Sequence, residues 1–418
     1  MRSSERDEIL VTGIGVVSAI GQGRQAFTEA LLAGRHGFGV MRRPGRQLPD
    51  AEPARDADAP PSGFLGAEIG TLDASAILGA HQRKASLSAQ AAVICLREAW
   101  DDAALGEVDP LRIGLVIGGS NFQQREQTLV HDAYRDRGAF VRPGYAVSFM
   151  DSDLCGLATE LFGIRGAAMT VGGASASGQL AVLQAVRLVE SGSVDTAIAL
   201  GALMDLSYWE CQAFRSLGAM GSDRFGNDPG AACRPFDKDR DGFIYGECSG
   251  AVVVERASRL RRPRVAPYAK WLGGYLRMDG SREPAPSLEG ETAAIEGALH
   301  DAGIDAASVD YVNPHGSGSA LGDATELAAL GRAGLGHVCL NTTKSLIGHG
   351  LTAAGTVELI ATLVQMRVGR LHPSRNLDQP IDPRFDWVAA PRDAEIRRAL
   401  TLSIGFGGIN TALCFERC

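Results

Sequence analysis

Four side chains that could take part in chemistry stand in glycine-rich turns of the sequence. Ser175 lies in VGGASASGQLAV, residues 171–182, where a short apolar strand runs through two glycines into a small-residue helix. His315 stands in HGSGS, and Lys344 and His349 share the segment KSLIGHG. A strand, a tight glycine turn and a helix start together present a nucleophile at a helix N-terminus. The pattern therefore predicts that Ser175 is either an active-site residue or a helix N-cap.

The elements that must position these turns occur twice in the chain. A helix over residues 82–104 leads into the strand RIGLVIGGSN, and a helix over residues 292–303 precedes the strand DYVNPHGSGS. Next, two longer segments share the order strand, polar loop and long helix. They are AAMTVGGASASGQLAVLQAVRLVESG and HVCLNTTKSLIGHGLTAAGTVELIATLVQMRVG. Strands that alternate with helices indicate parallel sheets covered on both faces, and their repetition indicates two copies of one unit. The loops should meet at the carboxyl edges of the sheets, with Ser175 buried at the centre where a helix begins near residue 176.

The composition excludes several classes of function. The 418 residues carry a net charge of −8 and are 45% hydrophobic, which allows a large core but gives no basic surface for nucleic acid or an anionic membrane. The first residues, MRSSERDEIL, lack the apolar stretch of a signal peptide, and no run approaches the ~20 apolar residues of a membrane span. We therefore expect a cytoplasmic protein. The eight cysteines are scattered without metal-ligand spacing, so they are expected to be free and no metal site is predicted.

Five segments together resemble one enzyme family. They are VGGASASG, RPFDKDRDGFIYGE, NPHGSGSALGDATE, NTTKSLIGHG and SIGFGGIN. From ILVTGIGVVS near the start to GFGGIN near the end, the chain resembles the β-ketoacyl-acyl carrier protein synthases of the thiolase fold. The family's two histidine motifs, HGTGT and KSxxGH, are matched here by His315, Lys344 and His349. The resemblance implies an α/β fold of five α-β-α-β-α layers with mixed sheets, divided into duplicated halves at 8–260 and 261–418. The first half carries the serine turn and the second carries both histidines.

The chain departs from the family at the nucleophile, because Ser175 stands where the family places a cysteine. A thiol ionises near pH ~8.5, and lower at a helix N-terminus, whereas a serine hydroxyl needs an adjacent general base. The resemblance assigns another task to His315 and His349, whose ring N–H groups hold the enolate formed when a malonyl thioester loses carbon dioxide. A nitrogen that donates to the enolate cannot also accept from serine. We therefore predict an enzyme that decarboxylates without condensing.

This serine variant is similar to the malonyl-acyl carrier protein decarboxylases of polyketide β-branching cassettes, which produce an acetyl carrier. The resemblance implies a substrate held on the phosphopantetheine of an acyl carrier protein, with no other cofactor. It also implies a homodimer in which the strand before the nucleophile, about 166–171, pairs with its symmetry mate. The polar and aromatic stretch 120–150 is expected to cover the partner subunit.

Further residues receive supporting roles from the family pattern. Lys344 is expected to order the histidines through a charged partner, Glu358. Asp323 and Glu326 suit the positive first turn of a helix and are expected to position His315 and Lys344. Phe406 is expected to gate the acyl tunnel, and its backbone N–H to complete an oxyanion hole with that of the active-site serine. Substrate contacts are assigned to four residues of the glycine loops: Phe406, Gly407, Ser317 and Ser319.

Two other functions stay open at this point. An acyltransferase or hydrolase would form a stable ester on Ser175 and act on acyl rather than malonyl carriers. A partner that only shapes the tunnel of another synthase, like a chain-length factor, would commonly lose the histidines as well as the cysteine. His315 and His349 are both present, so the sequence favours an enzyme.

Overall fold

The computed structural model describes residues 7–49 and 63–418, which contain seventeen strands and twelve α-helices. The strands are β1 (Ile9–Ser18), β2 (Gly21–Gln22), β3 (Phe38–Val40), β4 (Leu65–Ala67), β5 (Ile113–Gly118), β6 (Ala168–Val171), β7 (Thr196–Gly201), β8 (Tyr245–Gly246), β9 (Cys248–Arg256), β10 (Ala269–Met278), β11 (Tyr311–Asn313), β12 (Cys339–Leu340), β13 (Arg370–Leu371), β14 (Asp386–Trp387), β15 (Arg392–Asp393), β16 (Arg398–Gly405) and β17 (Ile409–Arg417). The helices are α1 (Arg24–Leu32), α2 (Ser75–Leu78), α3 (Leu87–Asp102), α4 (Gln124–Tyr134), α5 (Tyr145–Ser148), α6 (Ser152–Phe162), α7 (Ser177–Glu190), α8 (Tyr208–Ser216), α9 (Leu288–Ala302), α10 (Ala320–Arg332), α11 (Lys344–Ile347) and α12 (Ala354–Val368).

Two mixed sheets share one hydrogen-bonded path of strands. Its order is β14-β12-β11-β16-β17-β10-β1-β9-β7-β5-β6, and β2 pairs with β1. The sheets join where β1 and β10 pair antiparallel over two residues each, Leu10 with Lys270 and Val11 with Ala269. Helices α7 and α12 pack against each other between the sheets, while α3 lies outside the first sheet and α9 and α10 lie outside the second. The predicted five-layered fold is therefore confirmed.

The two central helices begin with the same backbone turn. Ala174 and Leu351 each open a 3-10 turn directly before α7 or α12, with φ values of +47° and +50°. A non-glycine residue in this left-handed region carries about 1–3 kcal/mol of strain. Gly192 and Gly369 follow the same two helices with φ values of +75° and +71°. The repetition seen in the sequence thus extends to the backbone turns that begin and end the central layer.

Helix α12 is apolar on nearly every side because it fills the middle layer. By length and composition alone, the segment Leu351–Val368 could cross a membrane, with a mean hydropathy of 1.2. However, 89% of this segment is buried inside the protein. A helix that is hydrophobic all round and packed on every side is a core helix.

At the two active-site loops, one boundary differs from the sequence expectation and the other lies close to it. The strand expected in DYVNPHGSGS extends only over Tyr311–Asn313, because Pro314 has no N–H to continue a sheet ladder. Ser175 lies in the 3-10 turn Ala174–Ala176, and the α-helix begins at Ser177, close to the expected start near residue 176. The side chain of Ser175, expected to be buried at the centre, is half-buried because it forms part of a cavity wall.

Candidate active site

Three of the four predicted catalytic residues, Ser175, His315 and His349, line one cavity of about 620 Å³. Ser175 reaches the cavity from the turn before α7, His315 from the loop after β11, and His349 from the loop between α11 and α12. The centroids of the two imidazole rings lie 5.2 Å apart, and the rings are nearly perpendicular at 81°. Lys344 lies directly behind His315, within hydrogen-bond distance of it. The fold therefore brings together turns from both halves of the chain.

The turn before α7 presents the Ser175 hydroxyl to His349. Ser175 Oγ lies 3.0 Å from His349 Nε2, which is hydrogen-bond distance. The turn is tightly enclosed by the loop that carries the GFGG segment. A Cβ atom at Gly405 would lie only 2.4 Å from the carbonyl oxygen of Gly173, so a side chain at Gly405 would push the loops apart. The glycines of the two motifs thus permit the close approach that places the serine hydroxyl.

The other ring nitrogen of His349 decides the direction of that hydrogen bond. The backbone N–H of Leu351 donates to Nδ1 of His349 at 3.3 Å. A neutral imidazole has one donor and one acceptor nitrogen, so the ring proton belongs on Nε2. Nε2 therefore donates to Ser175 Oγ. In this state His349 cannot accept the serine proton.

Lys344 fixes His315 in the same tautomer. The buried ammonium of Lys344 donates to the carbonyl oxygen of His315 and to Oε1 of Glu358. It also lies 3.4 Å from Nδ1 of His315, and an ammonium can only donate. Nδ1 is therefore an acceptor, which leaves the proton of a neutral His315 on Nε2. Glu358, the partner predicted from the sequence, balances the buried positive charge.

Both imidazole rings are kept neutral by their surroundings. Burial holds the pKa of His315 well below its ordinary value, and the nearby Lys344 cation and His349 act in the same direction. Burial, followed by the Lys344 cation, likewise holds the pKa of His349 well below its ordinary value. Neutral rings with Nε2–H groups are hydrogen-bond donors. Such donors suit stabilisation of a developing oxyanion.

Asp323 and Glu326 hold the loop that carries His315 by its backbone. Glu326 accepts hydrogen bonds from the backbone N–H groups of His315 at 2.5 Å and Gly316 at 2.8 Å. Asp323 accepts from the backbone N–H of Gly318 at 3.0 Å. The expected helix-dipole explanation is wrong for Glu326, which lies in the second turn of α10 rather than the first. The two carboxylates position the loop through direct hydrogen bonds instead.

Three phenylalanine rings contribute to the cavity wall. The ring of Phe243 meets that of His349 edge-on with a centroid distance of 5.3 Å. Phe214 lies between Phe243 and Phe406, at centroid distances of 5.5 Å and 6.3 Å. The side chain of Phe406 is 43% exposed, which fits a ring at the mouth of the cavity. A carboxylate placed among these rings would lose hydration without gaining a charged partner from them.

Three of the four residues predicted to contact substrate line the cavity, namely Phe406, Ser317 and Ser319. Ser319 is in addition the N-cap of α10, because its Oγ accepts a backbone N–H of the first turn at 3.0 Å. The expectation for Gly407 is not met, since Gly407 does not line the cavity. Its φ of +90° makes a turn that favours glycine. The flanking residues Phe406 and Gly408 line the cavity instead.

Several residues of the cavity wall escaped the sequence prediction, Phe243 and Glu291 among them. Phe243 stands in RPFDKDRDGFIYGE, a segment expected only to lie beside the pocket. Glu291 lies on α9, is 3% exposed and lines the cavity. Glu289, two residues earlier on the same helix, is a surface residue. A glutamate in an amphipathic helix gives no signal that would separate the two.

The cavity offers an alcohol but no thiol. All eight cysteines fall in the described ranges, and they are free. None of them lines the cavity. Within residues 7–49 and 63–418, no group of three or more His, Cys, Asp or Glu side chains is arranged to hold a metal ion. The Ser175 hydroxyl is thus the group that stands in the nucleophile position.

Two family models match the chain. The β-ketoacyl synthase N-terminal domain matches residues 6–259, and the β-ketoacyl synthase C-terminal domain matches residues 268–378. The chain belongs to the β-ketoacyl synthase family. The family resemblance inferred from the motifs is therefore confirmed, and the two matched domains carry the serine and the histidines of this ketosynthase-family protein.

Relatives of this ketosynthase-family protein include a decarboxylase and condensing synthases. It is 54% identical to the polyketide biosynthesis malonyl-ACP decarboxylase PksF of Bacillus subtilis, over 98% of this chain and 96% of PksF. It is 30% identical to the chloroplastic 3-oxoacyl-[acyl-carrier-protein] synthase I of Arabidopsis thaliana, over 98% of this chain and 87% of that protein. The solved structure of the ishigamide ketosynthase/chain length factor matches with a TM-score of 0.88 at 25% identity, covering 99% of this chain and 100% of that one. A β-ketoacyl synthase from Burkholderia phymatum matches with a TM-score of 0.86 at 25% identity and the same coverage.

Proposed function

We propose that this ketosynthase-family protein removes carbon dioxide from a malonyl group on an acyl carrier protein and leaves an acetyl carrier, without condensation. The observation that carries the proposal is a pair of neutral histidines whose Nε2–H groups share one cavity with a serine in place of a thiol. The 54% identity to PksF, which is named a malonyl-ACP decarboxylase, supports the same substrate.

In the proposed reaction, His315 and His349 donate their Nε2–H groups to the thioester oxygen of the malonyl group. The bond between C2 and the carboxylate breaks, its electrons pass onto the thioester oxygen as an enolate, and carbon dioxide leaves. One preorganised donor of this kind typically contributes ~3–4 kcal/mol to an anionic transition state. Phe243 and its aromatic neighbours keep the carboxylate poorly hydrated, which raises its free energy before the bond breaks. The enolate meets no acyl-enzyme, so C2 takes a proton.

Ser175 acts in this proposal as a hydrogen-bonding group rather than as a nucleophile. In the structure, its Oγ accepts from Nε2 of His349 at 3.0 Å, so no base removes the hydroxyl proton. When the thioester oxygen takes this Nε2–H in the reaction, Nδ1 still accepts from the N–H of Leu351, so His349 still offers the serine no acceptor. The hydroxyl is then free to donate to the malonyl carboxylate and steer it for cleavage. An ester-forming acyltransferase or hydrolase would need Nε2 of His349 to accept the serine proton. The N–H of Leu351 donates to Nδ1 and so opposes the tautomer in which Nε2 is the acceptor.

A second copy of the chain is a proposed partner. Strand β6 ends the sheet path, and its residues Ala168 and Met169 are exposed. An exposed strand edge can pair with its own copy across a two-fold axis. Phe140 and Phe149 are also exposed and come from the stretch 120–150 that was expected to cover the partner. These features support a homodimer that pairs through β6.

The biological setting is proposed from the same resemblance. The acyl carrier protein delivers the substrate on its phosphopantetheine, and the residues of the cavity supply the remaining groups that the reaction needs. We place the protein in the cytoplasm, in the β-branching steps of polyketide biosynthesis. We also propose that the chain is divided into duplicated halves at 8–260 and 261–418. The net charge of −8 opposes any nucleic-acid or membrane partner.

The intact mass of the carrier protein tests the proposal directly. Incubation of the pure protein with malonyl-carrier protein should lower the carrier mass by one carbon dioxide and leave the acetyl group attached. A variant with both His315→Ala and His349→Ala serves as the matched control and should leave the malonyl group intact. Release of the free carrier would indicate a hydrolase. An unchanged malonyl carrier with the wild-type protein would favour the passive chain-length partner.

A further inference from the structure

The proposed reaction ends with a proton transfer for which the histidines and serine are poorly suited. After carbon dioxide leaves, C2 of the enolate must gain a proton, because no electrophile is present. The Nε2–H groups of His315 and His349 belong to neutral imidazoles, and the hydroxyl of Ser175 does not ionise near neutrality. These groups are strong enough to donate hydrogen bonds but are poor acids. A stronger acid at the cavity would speed this proton transfer.

Glu291 is a buried carboxyl group at the wall of this cavity. It lies in the first turn of α9, and only 3% of the residue is exposed. Neither of its carboxyl oxygens has a hydrogen-bond partner among the described residues. A buried carboxylate without partners is costly, and a protonated carboxyl group avoids that cost. No hydrogen bond from the described residues therefore holds the Glu291 carboxyl group in place.

The groups around Glu291 keep a proton on it. Asp279 at the end of β10, and Asp323 and Glu326 on α10, face it with like charge. Together with burial, the largest cause, they raise the pKa of Glu291 to about 9. Burial raises the pKa of Asp323 to about 6 and that of Glu326 to about 8. Backbone N–H bonds and the Lys344 cation oppose this rise at both residues, and the Arg240 cation opposes it at Asp323.

The hydrogen bonds decide which carboxyl group of this cluster carries the proton. Asp323 and Glu326 accept backbone N–H groups, and such bonds favour the ionised form. Glu291 accepts none among the described residues. Of the three carboxyl groups, Glu291 therefore holds its proton most firmly at neutral pH.

We propose that Glu291 is the general acid that protonates the enolate, an inference that rests on the proposed decarboxylation. The O–H bond of the Glu291 carboxyl group breaks, its proton forms a C–H bond at C2, and the enolate electrons return to form the thioester carbonyl. Glu291 is left as a carboxylate. A proton from solvent, entering by the mouth of the cavity, restores the acid before the next turnover.

Glu291→Gln tests the assignment, because it keeps the size and neutrality of the side chain but removes the acid. Acetyl-carrier formation should fall by about 10²-fold, which is the usual contribution of a positioned acid. Glu289→Gln is the matched control, since Glu289 lies on the same helix with its side chain 80% exposed, and it should behave as wild type. A rate for Glu291→Gln within about threefold of wild type would overturn the inference.

Exchange of labelled carbon dioxide separates a proton donor from a structural residue. When protonation is slowed, the enolate persists and can recapture carbon dioxide. The test measures the ratio of ¹³C incorporation into the malonyl carrier to acetyl-carrier formation in the presence of ¹³C-bicarbonate. This ratio should therefore be higher for Glu291→Gln than for the wild-type protein. A fall in acetyl formation with no gain in exchange would show that Glu291 only supports the fold. Failure of the wild-type protein to form any acetyl carrier would instead refute the proposed decarboxylation.

A wild-type measurement keeps the test independent of whether the variant folds. The acid must be protonated, so the wild-type turnover rate should fall above about pH 9, where Glu291 loses its proton. The folded Glu291→Gln variant should lack this alkaline limb. A wild-type rate that stays constant well above that pH would exclude Glu291 as the donor.

Discussion

The backbone N–H of Leu351 donates to Nδ1 of His349 at 3.3 Å, and this contact sets the polarity of the ring. It leaves Nε2 as the donor that faces Ser175. Lys344 has the same effect on His315 from behind. The two rings therefore act as a matched pair of donors, although one is fixed by a backbone amide and the other by a buried cation. A serine that faces a donor cannot be activated as serine hydrolases activate theirs.

The neutral histidines predict an activity that persists into mildly acidic solution. Their pKa values lie well below the ordinary 6.5, so the rings keep their donor form below that pH. In Lys344→Met the cation that lowers both pKa values is gone, so the acidic limb of the pH–rate profile should move to higher pH. The pH dependence of acetyl-carrier formation measures this shift. An acidic limb that stays in place would mean that burial alone keeps the rings neutral.

The same substitution should lower the free energy of unfolding, because it leaves the buried Glu358 carboxylate without its partner. Removing one member of a buried ion pair typically costs about 3–5 kcal/mol. The loss should be smaller at pH 6 than at pH 8. Burial raises the pKa of Glu358 to about 7 even beside Lys344, and removal of that cation raises it further, so the carboxyl group is protonated at the lower pH. Urea unfolding at both pH values measures the effect. The double variant Lys344→Met/Glu358→Gln should recover much of the stability but not the position of the acidic limb.

Removal of either histidine should reduce carbon dioxide release by about 10²-fold or more. Each of His315→Ala and His349→Ala deletes one Nε2–H donor to the enolate oxygen. His300→Ala, an exposed histidine of α9 outside the cavity, is the matched control and should keep the wild-type rate. Manometric or mass-spectrometric measurement of carbon dioxide release gives the rates. If His349→Ala released carbon dioxide at the wild-type rate, groups other than His349 would be the ones that stabilise the enolate.

The sequence predicted the parts of the site that have a local signature. Ser175, His315 and His349 stand in glycine-rich motifs. Two backbone segments pass close to each other there, and glycine, which has no side chain, permits that approach. The order of strands and helices around them follows from the repeated pattern. Local signatures were therefore sufficient for the fold, the family and the central side chains.

Features that depend on distant contacts could not be predicted. Glu326 and Glu291 are both helical glutamates. Glu326 binds loop N–H groups, whereas Glu291 has no hydrogen-bond partner among residues 7–49 and 63–418 and lies in the cavity wall. Only the packing of α9 beside α10 brings them to the same place. The strained turn at Ala174 was not predicted for a related reason, because tertiary contacts hold this backbone conformation against the residue's own propensity.

A charge on the exposed edge of β6 should weaken the proposed dimer. Met169→Lys places an ammonium on the strand that would pair with its symmetry mate, and a lysine on an edge strand opposes such pairing. The dissociation constant measured by light scattering or sedimentation should rise about tenfold or more. Val368→Lys changes another exposed apolar residue, 51% exposed at the end of α12, and should leave the association unchanged. A wild-type protein that is monomeric at micromolar concentration would contradict the dimer itself.

Replacement of Ser175 separates the two mechanisms that an active-site serine allows. If the hydroxyl only accepts from His349 and steers the malonyl carboxylate, Ser175→Ala should lose about tenfold in rate. Loss of a true nucleophile would reduce the rate by ~10⁴–10⁶-fold. The rate of acetyl-carrier formation by Ser175→Ala therefore distinguishes a hydrogen-bonding group from an attacking one.

Ser175→Cys supplies the complementary test, because it places a thiol before α7, where a helix N-terminus lowers a thiol pKa. The variant should take up one more alkyl group than the wild-type protein under mild iodoacetamide treatment, with the eight native cysteines as the internal reference. It should also accept acyl groups from a carrier thioester, which the wild-type hydroxyl does not. Intact mass spectrometry of the wild-type protein during turnover completes the comparison. An acetyl or malonyl mass on Ser175 that forms and decays at the turnover rate would establish serine-ester catalysis and refute the donor role assigned to His349.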